Sequence, residues 1–329
     1  MPKAQKQKLL LTNRGLALVE TGMVSEQTIA SSCHCFYCGS PSLKPAFEKV
    51  FHRYKPGYGP FDIYECPACG SGITYPMPTP EQLTALYEGY TNGLPEDTRE
   101  AMGPDGGELW HPTCVKRLGV LNQLTPESRF TWIETGAGAG EMARLMAAAY
   151  PCSTGLATDL HARPESLPAN VEWMQVDLSS PTFHEIIGRK ADIVYATAVW
   201  EHVSRPDLFV ENMVRMLGEN GLLYLVTPNY GSVARKLLGM KWPYLNPGEH
   251  LTMPSLGGAR LCLRQALRKA GLPDSPVSCH PVCLMYSLFY TVKRFGLPFA
   301  NVIPRSWKMP MPSGALECFV RLSENRQDS

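Results

Sequence analysis

The chain has almost no net charge: 31 Lys and Arg against 30 Asp and Glu leave +1 over 329 residues. That balance excludes a protein coated all over for nucleic acid, although local patches survive the average. Nor is there an uninterrupted apolar run of the ~18 residues that a membrane-spanning helix needs. The opening MPKAQKQKLLLTNRGLALVE carries four basic side chains and no acid before Glu20. It lacks the long apolar segment and small-residue cleavage site of a secretory leader, so residues 1–32 read as an arm with no assigned function. Cysteine, by contrast, is plentiful, with eleven residues. Without a leader, that abundance points to a reducing, cytoplasmic setting and to thiols used for metal rather than for disulfides. The length suffices for one large domain and one small one.

Cys35-Phe-Tyr-Cys38 and Cys66-Pro-Ala-Cys69 are separated by 27 residues, and each is followed by Gly and Ser. A Cys-x-x-Cys turn aims two thiolates at one point, and the glycine lets the backbone fold back beneath them. Two such turns complete a tetrahedral four-thiolate zinc site with no open position for chemistry. A redox role fits less well, because the spacing occurs twice and neither pair opens a helix after a strand. Cys33 and His34 stand just upstream as spare ligands. The pattern predicts a small zinc ribbon over residues 33–80, with EKVFHRY and PFDIYEC as short strands and the metal holding a segment too small to fold alone. YPMPTPEQLTALYEGY then predicts a helix capped by Thr79. It belongs to a connecting segment, 81–107, whose Gly-, Pro- and charge-rich part at 91–107 reads as a hinge.

FTWIETGAGAGEMARLM follows: an apolar run ending on Glu134, then Gly136, Gly138 and Gly140, then residues at helical spacing. A glycine-rich turn between strand and helix admits a ligand to the backbone above a helix N-terminus. Alone it could equally mark a dinucleotide site. STGLATDL ends on Asp159, about twenty residues on, where a carboxylate meets ribose hydroxyls in such folds. VEWMQVDL, ADIVYATAV and GLLYLVTPN are further strand candidates with helical segments between them. The alternation predicts an α/β fold with a doubly wound parallel sheet and its ligand over the strand C-terminal ends. Acids at those ends favour a cationic ligand and repel a pyrophosphate, which disfavours a nicotinamide cofactor.

In the order of these segments, residues 108–323 resemble the class I S-adenosylmethionine-dependent methyltransferases, with a Rossmann-like sheet. The resemblance places Glu134 near the methionine ammonium, Gly136, Gly138 and Gly140 beneath the cofactor, Asp159 at the ribose, and Asp177 and Leu178 beside the adenine. ATAVWEHVSRPDLFVENMVRMLGENGLLYLVTPN is similar to the family's fourth-strand loop, helix and fifth strand, and SGALECFVRL to its last, antiparallel strand. The closest likeness is to a subset with an N-terminal Cys-x-x-Cys ribbon that acts on glycans and other small molecules. It implies O-methylation of a small molecule or sugar intermediate by a domain spanning 108–329, with S-adenosylmethionine and structural zinc as its cofactors.

Methyl transfer to oxygen needs an oriented site and a group to take the proton. His202, after the fourth strand, and His250, in NPGEHLTMPS, are the candidate bases, although each could simply cap or pin its loop. Between Gly257 and Pro310 stand eight Arg or Lys and one acid, Asp274, and residues 280–312 read as a basic, aromatic insertion. That stretch is either a solvated face or a platform for an anionic substrate, and it allows a peripheral membrane contact. An RNA methyltransferase is a second reading, but residues 1–80 hold only eight basic against five acidic side chains and no aromatic-basic repeat. A third is a binding or assembly subunit without turnover, against which the intact Glu134, Gly138 and Asp159 weigh.

Overall fold

The computed structural model describes residues 34–53, 55, 57–87, 110–294, 298 and 300–323, with two short strands before them. Those strands, β1 (Lys8–Leu10) and β2 (Ala17–Val19), pair antiparallel within the expected arm. The expected hinge at 91–107 and Cys33 lie outside the described residues.

The N-terminal unit consists of β3 (Lys44–Val50), β4 (Phe61–Glu65) and β5 (Gly72–Tyr75), an antiparallel run interleaved with the two Cys-x-x-Cys turns. Helix α1 (Pro80–Tyr87) follows. Thr79 caps it as the sequence predicts: its hydroxyl accepts from Gln82 N at 3.2 Å, and Gln82 Oε1 accepts from Thr79 N at 2.9 Å.

Helix and strand then alternate through α2 (Trp110–Asn122), β6 (Thr131–Thr135), α3 (Glu141–Ala149), β7 (Thr154–Asp159) and β8 (Val171–Gln175). The order continues with α4 (Phe183–Ile187), β9 (Ala191–Thr197), α5 (Pro206–Arg215) and β10 (Leu217–Pro228). Last come α6 (Val233–Leu238), β11 (Thr252–Met253), α7 (Leu256–Lys269), β12 (Val277–Ser287), α8 (Leu288–Arg294) and β13 (Lys308–Arg321). Seven strands form one sheet in the order β12-β13-β10-β9-β6-β7-β8, with only β13 antiparallel to its neighbours. The stretch expected as an insertion at 280–312 differs from the expectation. Much of it is sheet: β12 pairs with β13 from Val277 opposite Val320 to Ser287 opposite Lys308. Without β12, one edge of β13 would be left unpaired, since β10 takes the other. No helix among the described residues is long and apolar enough to cross a membrane.

Side chains alternate between the sheet's two faces with the period of a strand. Trp132, Ile193, Tyr195, Leu222 and Tyr224 pack on one face with Leu118 of α2 and Met146 of α3. Here Trp132 lies across β7, so that a Cβ on Gly155 would stand 1.9 Å from the indole. Ile133, Val194, Ala196, Leu223 and Leu225 take the other face with Phe209 of α5 and Leu263 of α7.

That second cluster also contains Cys35, Tyr37, Cys66 and Ile73, so the ribbon shares the core of the main unit. The contact is more than packing. β11 pairs antiparallel with β5, Thr252 opposite Ile73 and Met253 opposite Gly72, and completes the ribbon's four-stranded sheet. Ser255, the N-cap of α7, accepts from Gly258 N at 2.9 Å and donates to the Cys69 carbonyl. Burying a side chain such as Ile73 contributes about 1.5–3 kcal/mol, well above the ~0–1 kcal/mol of a part-exposed ion pair such as Arg235–Glu65. Apolar docking therefore dominates. Its closeness depends on Gly258, where a Cβ would stand 2.1 Å from Ser71 Oγ. Gly258→Ala should lower stability by about 1–3 kcal/mol, measured as earlier thermal unfolding and faster proteolysis within the ribbon. Gly257→Ala, whose Cβ would meet nothing nearer than 3.7 Å, should leave both nearly unchanged.

Candidate active site and thiol cluster

β6 ends on Glu134 and Thr135, and the chain turns through Gly136, Gly138 and Gly140 at φ of 73°, 52° and 76°. This left-handed region strains any residue with a Cβ. Gly136 is also sterically required, since a Cβ would meet Val199 at 2.4 Å, whereas Gly138 faces open space. Gly138 N donates to Asp159 Oδ2 at 2.8 Å, which ties the glycine turn to the end of β7. Asp159 Oδ1 accepts from His161 N at 3.0 Å and lies 2.8 Å from His161 Nδ1. Beyond β8, Asp177 is exposed and accepts from Ser179 N at 2.8 Å and Ser179 Oγ at 2.6 Å; Leu178 packs partly on the core. Glu134, the glycines and Asp159 are thus brought together, and Asp177 and Leu178 lie one strand further along.

After β9 the backbone passes through Ala198 at a left-handed φ of 55° into a 3-10 turn, Trp200–His202. Positive φ at a residue with a Cβ is held only where surrounding contacts fix it, here a 2.9 Å bond from Ala198 N to the Val226 carbonyl. His202 and His250 meet edge to face, with ring centroids 4.8 Å apart. The two candidate bases form a pair. His250 Nδ1 lies 2.7 Å from the Tyr244 carbonyl and donates to it, which leaves Nε2 with its lone pair. The His202 ring donates to the Glu249 carbonyl. Glu201 does not bond His202, being 3.9 Å away, and instead accepts from Thr227 Oγ1 at 2.9 Å. Burial, then the neighbouring His250 ring, pull the His202 imidazole below the ordinary histidine range.

The four thiols converge as the sequence spacing predicts. Cys35 Sγ lies 3.6 Å from Cys69 Sγ and Cys38 Sγ 3.6 Å from Cys66 Sγ, with all four sulfurs within 4.8 Å of one another. The turns match: Gly39 N donates to the Cys35 carbonyl at 2.8 Å and Gly70 N to the Cys66 carbonyl at 2.7 Å. A tetrahedral ion with ~2.3 Å bonds sets its sulfurs about 3.8 Å apart, so zinc fits this donor set. Hydrogen bonding from the Cys35 thiol holds the Cys69 thiol well below its usual range while pushing Cys35 up. A thiolate is thereby favoured even before a metal binds.

Residues 112–273 match the family described as a methyltransferase domain. Together with the sheet order and the strand-end acids, that match decides the matter. Residues 112–273 form a methyltransferase domain on a Rossmann-like sheet. Enzymes of this class take their methyl group from S-adenosylmethionine. No curated protein matches the chain. Among solved structures it is similar to an O-methyltransferase family protein from Burkholderia thailandensis, with 14% identity, 74% of this chain and 71% of that chain covered, and a TM-score of 0.40. A magnesium protoporphyrin IX methyltransferase from Synechocystis with bound SAH gives 15%, 73% and 93%, and 0.42. A plantazolicin methyltransferase in complex with a substrate analogue and SAH gives 14%, 74% and 95%, and 0.47.

Sequence reasoning missed the groups that hold the site residues. Tyr195 OH donates to Glu134 Oε2 at 3.3 Å, and His52 Nε2 lies 3.2 Å from Glu249 Oε2. A tyrosine in ADIVYAT, a strand buried at every position but Asp192, is the available signal for the first. For His52 no local signal exists, as 197 residues separate it from Glu249. Burial, offset in part by the Tyr195 hydroxyl and reinforced by Asp159, pushes the Glu134 carboxyl up to about 8. The folded methyltransferase then holds this proton more tightly than the unfolded chain, so stability falls as pH rises from the ordinary carboxylate range to about 8. Glu134→Gln cannot ionise and should gain on the parent across that window. Urea titrations at pH 5 and 8.5 that moved in parallel for both proteins would contradict this assignment.

Proposed function

We infer that this methyltransferase uses S-adenosylmethionine to methylate a hydroxyl group of a small molecule, with a sugar or glycan intermediate as the model acceptor. The observation that carries the reading is the set of ligandable groups along one edge of the sheet. Glu134, the glycine turn and Asp159 lie at the ends of β6 and β7, and His202 follows β9. The donor set fits: two acids and an open glycine suit a ligand with an ammonium, a sulfonium and ribose hydroxyls. When bound, S-adenosylmethionine supplies a methyl group on a sulfonium leaving group for in-line displacement. Glu134, once ionised, would hold the ammonium, Asp159 would hold the ribose in place of the exposed His161 ring, and Asp177 and Leu178 would flank the adenine.

His202 removes the acceptor proton as the oxygen attacks, and His250, its ring edge to face with that of His202 at 4.8 Å, supports that role. The lowered basicity of His202 keeps it unprotonated at neutral pH, as a base must be. Among the described residues, the charged neighbours acting on the His202 ring are the buried acids Glu201 and Glu249 and the His250 ring, which favours a neutral acceptor over the anionic one that the basic 257–310 segment suggested. The basic side chain of Arg260 instead binds the Cys279 carbonyl at 3.0 Å. Zinc at Cys35, Cys38, Cys66 and Cys69 plays no chemical part, since four thiolates leave no coordination position for an acceptor.

Calorimetry tests the donor side. S-adenosylhomocysteine should bind, and Asp159→Ala should weaken it at least about tenfold. Because free Glu134 is mostly protonated at pH 7, binding should release a proton there and release little above pH 9. Tighter binding of a nicotinamide dinucleotide would sink the donor assignment. On the acceptor side, methyl-labelled donor incubated with a metabolite extract should label low-mass species rather than RNA. His202→Ala should then lower that labelling rate on the order of a hundredfold with donor affinity kept. The parent rate should fall as pH drops through a pKa below the usual histidine range. A near-normal alanine variant with a flat pH profile would remove His202 from the mechanism.

A further inference from the structure

Both histidine-bearing segments are held by the ribbon. Tyr37 lies inside the first Cys-x-x-Cys turn, fully buried, between two of the four thiols. Its hydroxyl donates to Thr252 Oγ1 at 2.9 Å, two residues past His250. Its ring meets Trp200, two residues before His202, edge to face at 5.7 Å. Thr74 of β5 donates through Oγ1 to the His250 carbonyl at 2.7 Å and through N to the Leu251 carbonyl at 2.9 Å. Leu251 N in turn donates to the Glu201 carbonyl at 2.7 Å, which joins the two segments to each other. From the β3–β4 loop, Arg53 N donates to Asn246 Oδ1 at 3.1 Å and Arg53 Nη2 to the Trp242 carbonyl at 3.0 Å. The donor side is built differently. The side-chain hydrogen bonds of Glu134 and Asp159 run to Tyr195, Gly138 and His161, all within the methyltransferase core.

We propose that the ribbon is the positioning device for the His202–His250 pair, with Tyr37 and Thr252 as its positioning residues, so that metal occupancy of the four thiols sets the acceptor side while leaving the donor side intact. The inference rests on the role of that pair given above. Its physical basis is short-range. Metal–thiolate bonds would fix the turn carrying Tyr37, and without them only weak contacts hold four sulfurs within 4.8 Å of one another. A turn that spreads carries the Tyr37 ring away from Trp200 and its hydroxyl from Thr252. The two segments that carry the histidines then lose these anchors, and the rings shift with their backbone. The buried Thr252 hydroxyl also loses the hydrogen bond from Tyr37, which is unfavourable in a core.

The test uses the full chain, with zinc measured by elemental analysis and then withdrawn by a chelator. Two quantities are followed: S-adenosylhomocysteine affinity by calorimetry, and the ring-nitrogen NMR signals of His202 and His250. We expect about one zinc per chain, donor affinity changed by less than about threefold on its removal, and both imidazole signals shifted toward those of solvent-exposed histidine. Thr252→Val and Tyr37→Phe, with zinc retained, should move the same two signals in the same direction. Imidazole signals that ignore these two substitutions overturn the proposal, whatever happens on zinc removal, and so do imidazole signals that stay in place when zinc leaves a chain that keeps its donor affinity. If withdrawing the metal unfolds the whole chain, the two substitutions alone decide. Failure of the functional reading looks different: S-adenosylhomocysteine would not bind, or His202→Ala would leave turnover intact, while the NMR response to Thr252→Val persisted.

Discussion

Two residue pairs, Thr252 with Ile73 and Met253 with Gly72, carry a disproportionate share of this architecture. They are the whole of a two-residue strand, yet they close the ribbon's sheet, end the loop that bears His250 and lead directly into the N-cap of α7. A strand this short has no independent stability. It persists because both its side chains are fully buried and because β5 supplies a ready edge. The ribbon and the methyltransferase core therefore complete one another: the first lacks a strand and the second lacks a wall.

Buried acids show the same economy in different settings. Glu134 is satisfied by a tyrosine hydroxyl, Glu201 by a threonine hydroxyl and Glu317 by Arg117 and Tyr224. Only the last has a full counter-charge, and it sits on β13, away from the glycine turn. A carboxyl matched with a neutral donor keeps an appetite for a cation, whereas one matched with a guanidinium does not. That distinction separates a group available to a ligand from one that holds an edge strand in place.

The sequence made legible what is local. The glycine turn, the acids closing successive strands and the paired Cys-x-x-Cys turns all announce themselves within a few residues, because each depends on backbone conformation or ligand spacing nearby. β11 could not be read, being two residues long and defined by a partner some 180 positions earlier; its pairing is purely tertiary. The edge strand β12 was mistaken for an insertion because HPVCLMYS lacks clean alternation, and the register with β13 is indeed interrupted between Pro281 and Cys283. The meeting of His202 with His250 was likewise hidden, although each histidine had been singled out. Their proximity follows from Leu251 N bonding the Glu201 carbonyl, which no periodicity encodes.

Trp132 and Gly155 occupy paired register positions on β6 and β7, and the indole fills the space a side chain at 155 would need. The two positions therefore share one volume between them. Among relatives that keep this packing, a residue larger than glycine at 155 can be admitted only where 132 has shrunk, so the two columns of an alignment should vary together and not singly. Such a covariation would originate in steric exclusion on the face opposite the ribbon. It would carry no information about the substrate, however strong its statistical signal.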